Sequence, residues 1–269
     1  MDPDAYRTVT TGVAPFWASK YARESSKNWD KFYRRNKTNF YRHRHWTTAA
    51  ATDGFACLAQ PGATPDARVV LAEAGCGVAN CAFPLLEKNE ALHVYAFDFA
   101  PAAVRLVCEA DEFRRYAGRC RAFVWDFCKT SVEDVPAEER GELAGGVADY
   151  VTLIFVLSAV PPDSQLAGLR HLFALLKPGG KLLFRDYATG DMAQARFANR
   201  NRIADNYFVR QDSTLSYFFE DDHLHALLTE AGFEKEEMRR VDRVITNRKE
   251  QLEMRRVFLQ AIYVKPTVD

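Results

Sequence analysis

The sequence predicts an α/β protein built around a doubly wound, mostly parallel β-sheet. From residue 67 onward, short apolar stretches that suit strands alternate with longer stretches that suit helices, which is typical of strands joined by crossover helices. The run 151–157 is apolar at every position except Thr152, as expected of a central strand covered on both faces. With 269 residues, 48% of them hydrophobic, the chain can bury one large core.

Each strand of the predicted parallel sheet is followed by a helix or a turn. The strands are expected at 68–73, 93–98, 121–125, 149–157 and 181–186, and the helices between them near 79–88, 101–114 and 164–176. The residues 177–180, Lys-Pro-Gly-Gly, are expected to end the last of these helices and turn into the fifth strand. A helix at 221–231, stopped by Gly232, precedes two strand-like runs at about 238–246 and 256–264, and the C-terminal strand is expected to be antiparallel.

Two segments interrupt this alternation. Residues 1–65 are expected to form a basic and aromatic N-terminal extension, helical at 18–35 and ending in a turn cluster at 61–66, so that 66–269 form the main domain. Residues 188–220 are rich in arginine, asparagine and aromatic residues and predict an insertion that covers the C-terminal edge of the sheet.

The net charge of zero hides an uneven distribution. Lysine and arginine number 36, as do aspartate and glutamate, yet the stretch 20–45 holds nine basic residues, two acidic ones and six aromatic ones. Basic groups neutralise phosphates and flat rings stack on exposed bases, so this stretch indicates a nucleic-acid partner. An ordinary amphipathic helix, with Trp29 and Tyr33 covering a core from one turn apart, explains the same composition, and both interpretations stay open.

Several classes of protein are not expected. No apolar run approaches the roughly 20 residues that span a bilayer, and the acidic start Met1-Asp-Pro-Asp4 does not suit a secretory or transit signal. We therefore expect no membrane partner and a cytoplasmic location, with the nucleus as a further compartment. The six cysteines form no CxxC pair and are expected to be reduced thiols, and no metal site is expected.

A glycine-rich turn follows the first predicted strand. It reads Glu73-Ala-Gly75-Cys-Gly77, without the Gly-Lys-Ser/Thr of a P-loop, and Asn80 stands where a dinucleotide fingerprint has its third glycine. Two glycines let the backbone approach a ligand, and Glu73 favours a cationic group over a phosphate. S-adenosylmethionine (SAM) fits this pattern because it carries an ammonium and a sulfonium group and no phosphate.

Further acids stand at the ends of the next strands. Asp98, followed by Phe99, suits the two hydroxyls of a ribose, and Asp126 with Phe127 suits the amino group and the face of an adenine. Ile154 on the following strand completes the set. Each residue has an ordinary alternative, such as helix capping by the aspartates, but the ordered set at strand ends predicts a SAM site.

Six blocks of the sequence resemble the eukaryotic methyltransferase-like enzymes that make 3-methylcytidine in tRNA. They are SKNWDKFY (26–33), FYRHRHW (40–46), EAGCGV (73–78), IFVLSAV (154–160), FRDY (184–187) and YFVRQD (207–212), within a resemblance that runs from about residue 15 to 264. The resemblance implies the Rossmann-like fold of class I SAM-dependent methyltransferases, S-adenosylhomocysteine as product, and cytidine 32 of the tRNA anticodon loop as target. The branch most resembled is the single-domain one that acts on serine tRNAs, with seryl-tRNA synthetase as a partner.

The resemblance also implies roles for individual residues. Trp29 and Tyr33 would close over the SAM from the N-terminal segment, and Gly75, Asp98, Asp126, Phe127 and Ile154 would line its pocket. The family usually has glycine where this chain has Ala79. We interpret that position as one of helix-to-strand packing, where alanine is tolerated and SAM binding is retained.

The chemistry of cytosine directs attention to the fifth strand. N3 carries a free lone pair at neutral pH, so attack on the donor methyl requires positioning and no prior removal of a proton. The product base is cationic, and a carboxylate near the ring would stabilise the developing charge. We predict that Asp186 is this catalytic carboxylate and that Arg185 holds the base, a phosphate or the donor carboxylate. A structural ion pair between the two residues is the alternative.

The target nucleotide must be unpaired, because N3 pairs with guanine in a duplex. Five basic residues are predicted to contact the RNA backbone: Arg44, His45, Arg196, Arg200 and Arg210. The alternatives to an RNA enzyme are a SAM-dependent methyltransferase of a small molecule or protein, a non-catalytic interaction module of the same fold, and a redox enzyme that binds a dinucleotide.

Overall fold

The computed structural model describes residues 12–39, 42–48, 54–59, 67–247 and 252–267. The expected turn cluster at 61–66, the domain boundary beside it, and the middle of the link between the last two strands lie outside these residues, as do Phe40 and Tyr41. No helix in the described ranges is long and apolar enough to cross a membrane.

The described strands form a large central sheet and a small second one. In chain order they are Val69–Ala74 (β1), Leu92–Asp98 (β2), Cys120–Val124 (β3), Ala148–Ile154 (β4), Leu176–Tyr187 (β5), Arg202–Ala204 (β6), Tyr207–Val209 (β7), Leu215–Tyr217 (β8), Glu234–Asn247 (β9) and Leu252–Val264 (β10). The central sheet has the order β3-β2-β1-β4-β5-β10-β9. Strands β1 to β5 pair in parallel, and β10 runs antiparallel to both of its neighbours. The predicted sheet, mostly parallel with an antiparallel C-terminal strand, is confirmed.

Two helices from the N-terminal segment pack against this sheet domain. They are Pro15–Arg23 (α1) and Ser25–Asn36 (α2). One continuous helix was expected at 18–35, but Glu24, with φ −94° and ψ 12°, departs from helical geometry and separates the two. Ser26 Oγ donates to the Phe99 carbonyl at 3.0 Å, and Asp30 Oδ1 accepts from the Ala102 N–H at 2.8 Å. These bonds attach α2 to the segment that follows β2.

Helices cover both faces of the central sheet. They are Ala82–Lys88 (α3), Pro101–Glu109 (α4), Asp111–Arg115 (α5), Ala137–Arg140 (α6), Pro162–Leu175 (α7), Met192–Ala195 (α8) and Asp221–Glu230 (α9). One buried apolar cluster joins the sheet to α7 and α9 and includes Val151 and Leu153. A second cluster, on Leu71 and Leu183, includes residues of α3. Burial on both faces explains why β4 shows no alternation of polar and apolar residues.

Three predicted elements differ in the structure. Strand β4 stops at Ile154 instead of residue 157, because Phe155 takes a left-handed backbone conformation (φ +57°) and a 3-10 turn, Leu157–Ala159, follows. The helix expected at 101–114 divides into α4 and α5 at Ala110, whose ψ of 146° is extended. The turn expected at 177–180 instead forms the start of β5. Apolar sequence suits a strand and a buried turn equally, so composition did not locate the end of β4.

The predicted insertion contains α8 and the small antiparallel sheet β6-β7-β8. Tyr207, Val209 and Leu215 form its buried cluster, against which Val13 and Tyr21 of the N-terminal segment pack. The insertion and the N-terminal helices therefore share a small apolar core.

Candidate active site

A cleft opens at the carboxyl ends of β1, β2 and β4, beneath helix α2. It has an aromatic compartment and a glycine compartment, with about 750 Å³ and about 470 Å³ of space that includes the part open to solvent. Trp29, Tyr33, Gly75 and Phe155 line both compartments, so the two are continuous.

All ten residues predicted to contact the donor line this cleft. The aromatic compartment is lined by Trp29, Tyr33, Gly75, Asp98, Phe99, Asp126 and Phe127, and the glycine compartment adds Glu73, Gly77 and Ile154. The sheet brings them together because the carboxyl ends of adjacent parallel strands share one edge. Their individual contacts with a donor remain predictions.

The glycine turn has no room for side chains. A Cβ on Gly75 (φ +59°) would lie 2.6 Å from Val156 Cγ1, and one on Gly77 (φ +56°) would lie 2.6 Å from the Tyr33 hydroxyl. Ala79 is also left-handed, with φ +60°. Our interpretation of the Ala79 position as one of packing was therefore incomplete, because a left-handed backbone by itself favours glycine there.

Asp98 and Asp126, which are predicted to contact ribose and adenine, both line the aromatic compartment. Asp98 is 4% exposed, and its two oxygens accept from the N–H groups of Gly77 (3.0 Å) and Ala100 (2.9 Å). Burial raises the pKa of Asp98 to about 6, although both hydrogen bonds oppose the shift. Asp126 accepts from the Cys128 N–H and forms an ion pair with Lys129 at 2.7 Å. A carboxylate has about four acceptor positions, so Asp98 can also accept from hydroxyls of a ligand.

Glu73 and Arg44 give the glycine compartment its charge. Glu73 Oε2 accepts from the Ala82 N–H at 3.0 Å, at the start of α3. Burial raises the pKa of Glu73 to about 7, and the nearby Arg44 opposes this shift. Arg44 Nη1 donates to the Ile154 carbonyl at 2.8 Å, and Arg44 is the cationic side chain among the described residues that line this compartment.

The high pKa of Glu73 predicts how the donor-free protein responds to pH. Glu73 binds its proton more tightly in the folded protein than in the unfolded chain, where its pKa is near 4.5. Protonation of Glu73 therefore stabilises the folded protein fully below pH 4.5, and this stabilisation is lost as the pH rises through about 7. Between pH 4.5 and pH 8, we expect the unfolding free energy of the wild type to fall by on the order of 3 kcal/mol relative to that of Glu73→Gln. Chemical denaturation across this range measures it, and a difference that does not change with pH would contradict the prediction.

Buried polar atoms without hydrogen-bond partners, in addition to the acidic side chains, make the cleft suitable for SAM. Ser25 Oγ, Trp29 Nε1 and Thr152 Oγ1 are buried without a hydrogen-bond partner among the described residues, and all three residues line the cleft. Buried polar groups are normally satisfied, so these atoms favour a polar ligand there. Ribose hydroxyls, an adenine ring and an amino-acid end supply such groups, and Arg44 suits a carboxylate. Ser25 and Thr152 were not predicted from the sequence, although Thr152 was recognisable as the polar residue in an apolar run.

The two residues predicted to be catalytic do not line the cleft. Asp186 is fully buried; its Oδ2 accepts from the Ser158 N–H at 2.9 Å and its Oδ1 from the Tyr187 N–H at 2.8 Å. Arg185 is 4% exposed, lies 4.2 Å from the centre of the Trp46 ring and donates to Gln260. The positions favour structural roles for both side chains, through the hydrogen bonds of Asp186 with the Ser158 and Tyr187 backbone and of Arg185 with Gln260. A direct catalytic role for either residue stays a prediction.

The five predicted RNA ligands occupy different places. Arg196 and Arg200 are exposed on the insertion, and His45 is exposed on the 3-10 turn His45–Thr48. Arg210 is half-buried, with its guanidinium 5.6 Å from the centre of the Tyr187 ring. Arg44 lies in the glycine compartment, where its position favours the donor carboxylate over RNA.

Comparison with known proteins gives the family. A mouse (Mus musculus) protein named tRNA N(3)-cytidine methyltransferase METTL6 is 43% identical over 258 residues, which cover 96% of this chain and 86% of the mouse protein. This chain belongs to the tRNA N(3)-cytidine methyltransferases. A family model described as "Methyltransferase domain" matches residues 43–238. A Saccharomyces cerevisiae member named tRNA(Thr) (cytosine(32)-N(3))-methyltransferase is 35% identical over 94% of this chain and 39% of its own length.

Solved structures agree on the fold of this tRNA N(3)-cytidine methyltransferase. The Burkholderia thailandensis 1,6-didemethyltoxoflavin-N1-methyltransferase, solved with S-adenosylhomocysteine, matches with a TM-score of 0.59 at 18% identity, over 93% of this chain and 91% of the other. The class I methyltransferase fold is thereby confirmed. The methyl donor of this enzyme is SAM, as predicted.

Arg44 offers a test of how the donor is oriented. We expect Arg44→Ala to weaken binding of S-adenosylhomocysteine by at least about tenfold, because a charge-assisted hydrogen bond contributes roughly 1.5–3 kcal/mol. Binding of 5′-methylthioadenosine, which lacks the amino-acid end, should stay within about twofold, near the limit of what calorimetry resolves. Arg44→Lys, which keeps the charge, serves as the control. Equal losses for both ligands would place the carboxylate elsewhere.

Proposed function

We propose that this enzyme methylates N3 of cytidine 32 in the anticodon loop of serine tRNAs, with seryl-tRNA synthetase as a partner. The observation that carries the proposal is a complete donor cleft in a chain that matches a tRNA N(3)-cytidine methyltransferase over 96% of its length. The name of the yeast relative supports position 32. The choice of serine tRNAs, and of the synthetase, rests on the resemblance to the single-domain branch.

The residues of the cleft suit a reaction that depends on positioning. SAM supplies an electrophilic methyl group, and cytosine N3 can attack it without losing a proton first. Trp29 and Tyr33 of α2 cover the cleft and exclude water, while Asp98 is placed to accept from ribose hydroxyls. Phe155 lies where both compartments meet, and its ring centre is 5.3 Å from that of Tyr187 at the end of β5. An aromatic surface beside the donor suits a flat base whose charge becomes positive.

The N-terminal extension and the insertion are proposed to bind the tRNA. The extension, residues 1–65, would cover the donor with α2 and present its basic residues to phosphates. On the insertion, Arg196 and Arg200 are exposed and Arg210 is half-buried. Phosphate contacts of this kind make affinity fall steeply as salt concentration rises.

Methylation of defined transcripts tests the proposal. The purified enzyme, labelled SAM and serine tRNA should yield 3-methylcytidine on nucleoside analysis, and a transcript with uridine at position 32 should yield none. Threonine tRNA and added seryl-tRNA synthetase test the choice of tRNA and of partner. A methylated base at another position, or transfer only to small molecules, would refute the proposed target.

A further inference from the structure

Helix α2 contacts more than the cleft that it covers. Ser25 and Trp29 line the cleft, and Asn28, in the same turn of the helix, is 7% exposed. The Asn28 side-chain amide donates to the Ser213 carbonyl at 3.0 Å, across 185 positions of the sequence. A buried side-chain donor with one long-range acceptor fixes the distance between the two segments that it joins.

Ser213 belongs to the turn between β7 and β8, and this turn is rigidly built. The Arg210 N–H donates to the Thr214 carbonyl at 2.8 Å, and the Ser213 N–H donates to the Arg210 carbonyl at 3.0 Å. Asp212 Oδ1 accepts from both the N–H and the hydroxyl of Thr214. The backbone of Arg210 is therefore held in the same turn that Asn28 contacts.

Arg210 extends from this turn to the end of β5. Its guanidinium lies 5.6 Å from the centre of the Tyr187 ring, and Tyr187 contacts Phe155, which lines both compartments of the cleft. A path of direct contacts thus leads from α2 through the β7–β8 turn to the mouth of the cleft on the β5 side.

The N-terminal segment contacts the insertion at a second point. The Val13 N–H donates to the Arg202 carbonyl at 2.8 Å, and Tyr21 packs against the apolar cluster of the small sheet. The N-terminal helices and the β6-β7-β8 sheet therefore share contacts near both ends of α1 and on α2. The exposed Arg196 and Arg200 lie in the segment that leads into this sheet.

We propose that Asn28 is a positioning residue that couples occupancy of the donor cleft to the placement of the β6-β7-β8 sheet, so that donor and tRNA bind cooperatively. A donor contacts Ser25 and Trp29 only when α2 is in place, and the sheet receives its Asn28 contact only in that same arrangement. Two ligands that both bind better to this arrangement strengthen each other's binding, so the donor should raise tRNA affinity and tRNA should raise donor affinity by the same factor. The RNA half of this inference rests on the proposed function.

Hydrogen exchange with S-adenosylhomocysteine tests the coupling without any RNA. In the wild type, the ligand should slow exchange of backbone amides in 207–217 by about fivefold, equivalent to roughly 1 kcal/mol for one buried hydrogen bond. Asn28→Ala should reduce this protection to less than about twofold, a change that exchange rates resolve. Asn36→Ala is the matched control, because Asn36 lies on the same helix and its side-chain amide donates to the Phe32 carbonyl at 2.9 Å, within α2. If Asn28→Ala is poorly folded, the isosteric Asn28→Asp, which lacks the donor, replaces it.

Binding measurements extend the test to tRNA. Saturating S-adenosylhomocysteine should tighten tRNA binding by about fivefold in the wild type but not in Asn28→Ala. Ser213→Gly is a control that should behave like the wild type, because it keeps the backbone carbonyl and glycine suits the φ of +67° at this position. Absence of ligand-dependent protection at 207–217 in the wild type, or full protection in Asn28→Ala, would overturn the inference. Failure of the proposed function appears separately, as absence of 3-methylcytidine with the exchange result intact.

Discussion

Replacing Asp98 by alanine should weaken SAM binding by at least about 100-fold, or roughly 2.8 kcal/mol, and abolish methyl transfer at ordinary donor concentrations. Two effects add. The carboxylate would lose its contacts with ribose hydroxyls, and hydrogen bonds to a charged group contribute roughly 1.5–3 kcal/mol each. The Gly77 and Ala100 N–H groups would also lose their acceptor, which loosens the glycine turn. Calorimetry with S-adenosylhomocysteine measures the loss.

Two variants make the Asp98 result interpretable. Asp98→Asn keeps one acceptor oxygen and should weaken binding by roughly tenfold, less than alanine does. Asp149 is a matched control, because its Oδ2 also accepts a backbone hydrogen bond, from the Val70 N–H at 2.7 Å. This bond lies near the amino-terminal ends of β1 and β4, away from the cleft. Asp149→Ala should lower the unfolding midpoint and leave donor affinity unchanged. Near-normal donor affinity in a folded Asp98→Ala protein would remove the ribose assignment and, with it, the proposed orientation of SAM.

Asp186→Ala should lower donor affinity and methyl transfer together, each by about tenfold, or roughly 1.4 kcal/mol. The reason is that the Asp186 carboxylate attaches the turn after β4 to the end of β5 through the Ser158 and Tyr187 N–H groups. Phe155, Val156 and Ala159 of this segment line the aromatic compartment. Without the carboxylate, the Ser158 N–H is left unsatisfied in a buried site, which costs about 1–3 kcal/mol of stability.

The pattern of losses distinguishes positioning from direct catalysis by Asp186. Single-turnover rates at saturating SAM, together with donor affinity, separate the two. A carboxylate that stabilises the cationic base, which is the role predicted for Asp186 from the sequence, would reduce the rate on removal and leave donor affinity unchanged. Ser158→Ala removes only the side-chain hydrogen bond to Asp186 and should show a smaller version of the same paired loss. Loss of rate alone in Asp186→Ala would restore the direct role.

The local sequence pattern was sufficient to predict the central sheet and many of the residues that line the cleft. The strand that ends at Asp98 was predicted within one residue, because a buried parallel strand needs largely apolar sequence and this one ends at a polar residue. The donor residues were recognisable for a related reason. Parallel strands deliver their carboxyl ends to one edge, so strand order in the sequence implies proximity there, as the lining of the cleft shows.

The sequence by itself thus determined the fold class, the donor chemistry and the family. Only the tertiary structure decided the positions of Arg44 in the glycine compartment, Asp186 beneath the turn after β4, and Asn28 against Ser213. Periodicity reports which face of an element is buried, whereas these side chains act on backbone groups that are 28 to 185 positions away. The identity of such partners depends on how the elements pack, which no local pattern encodes.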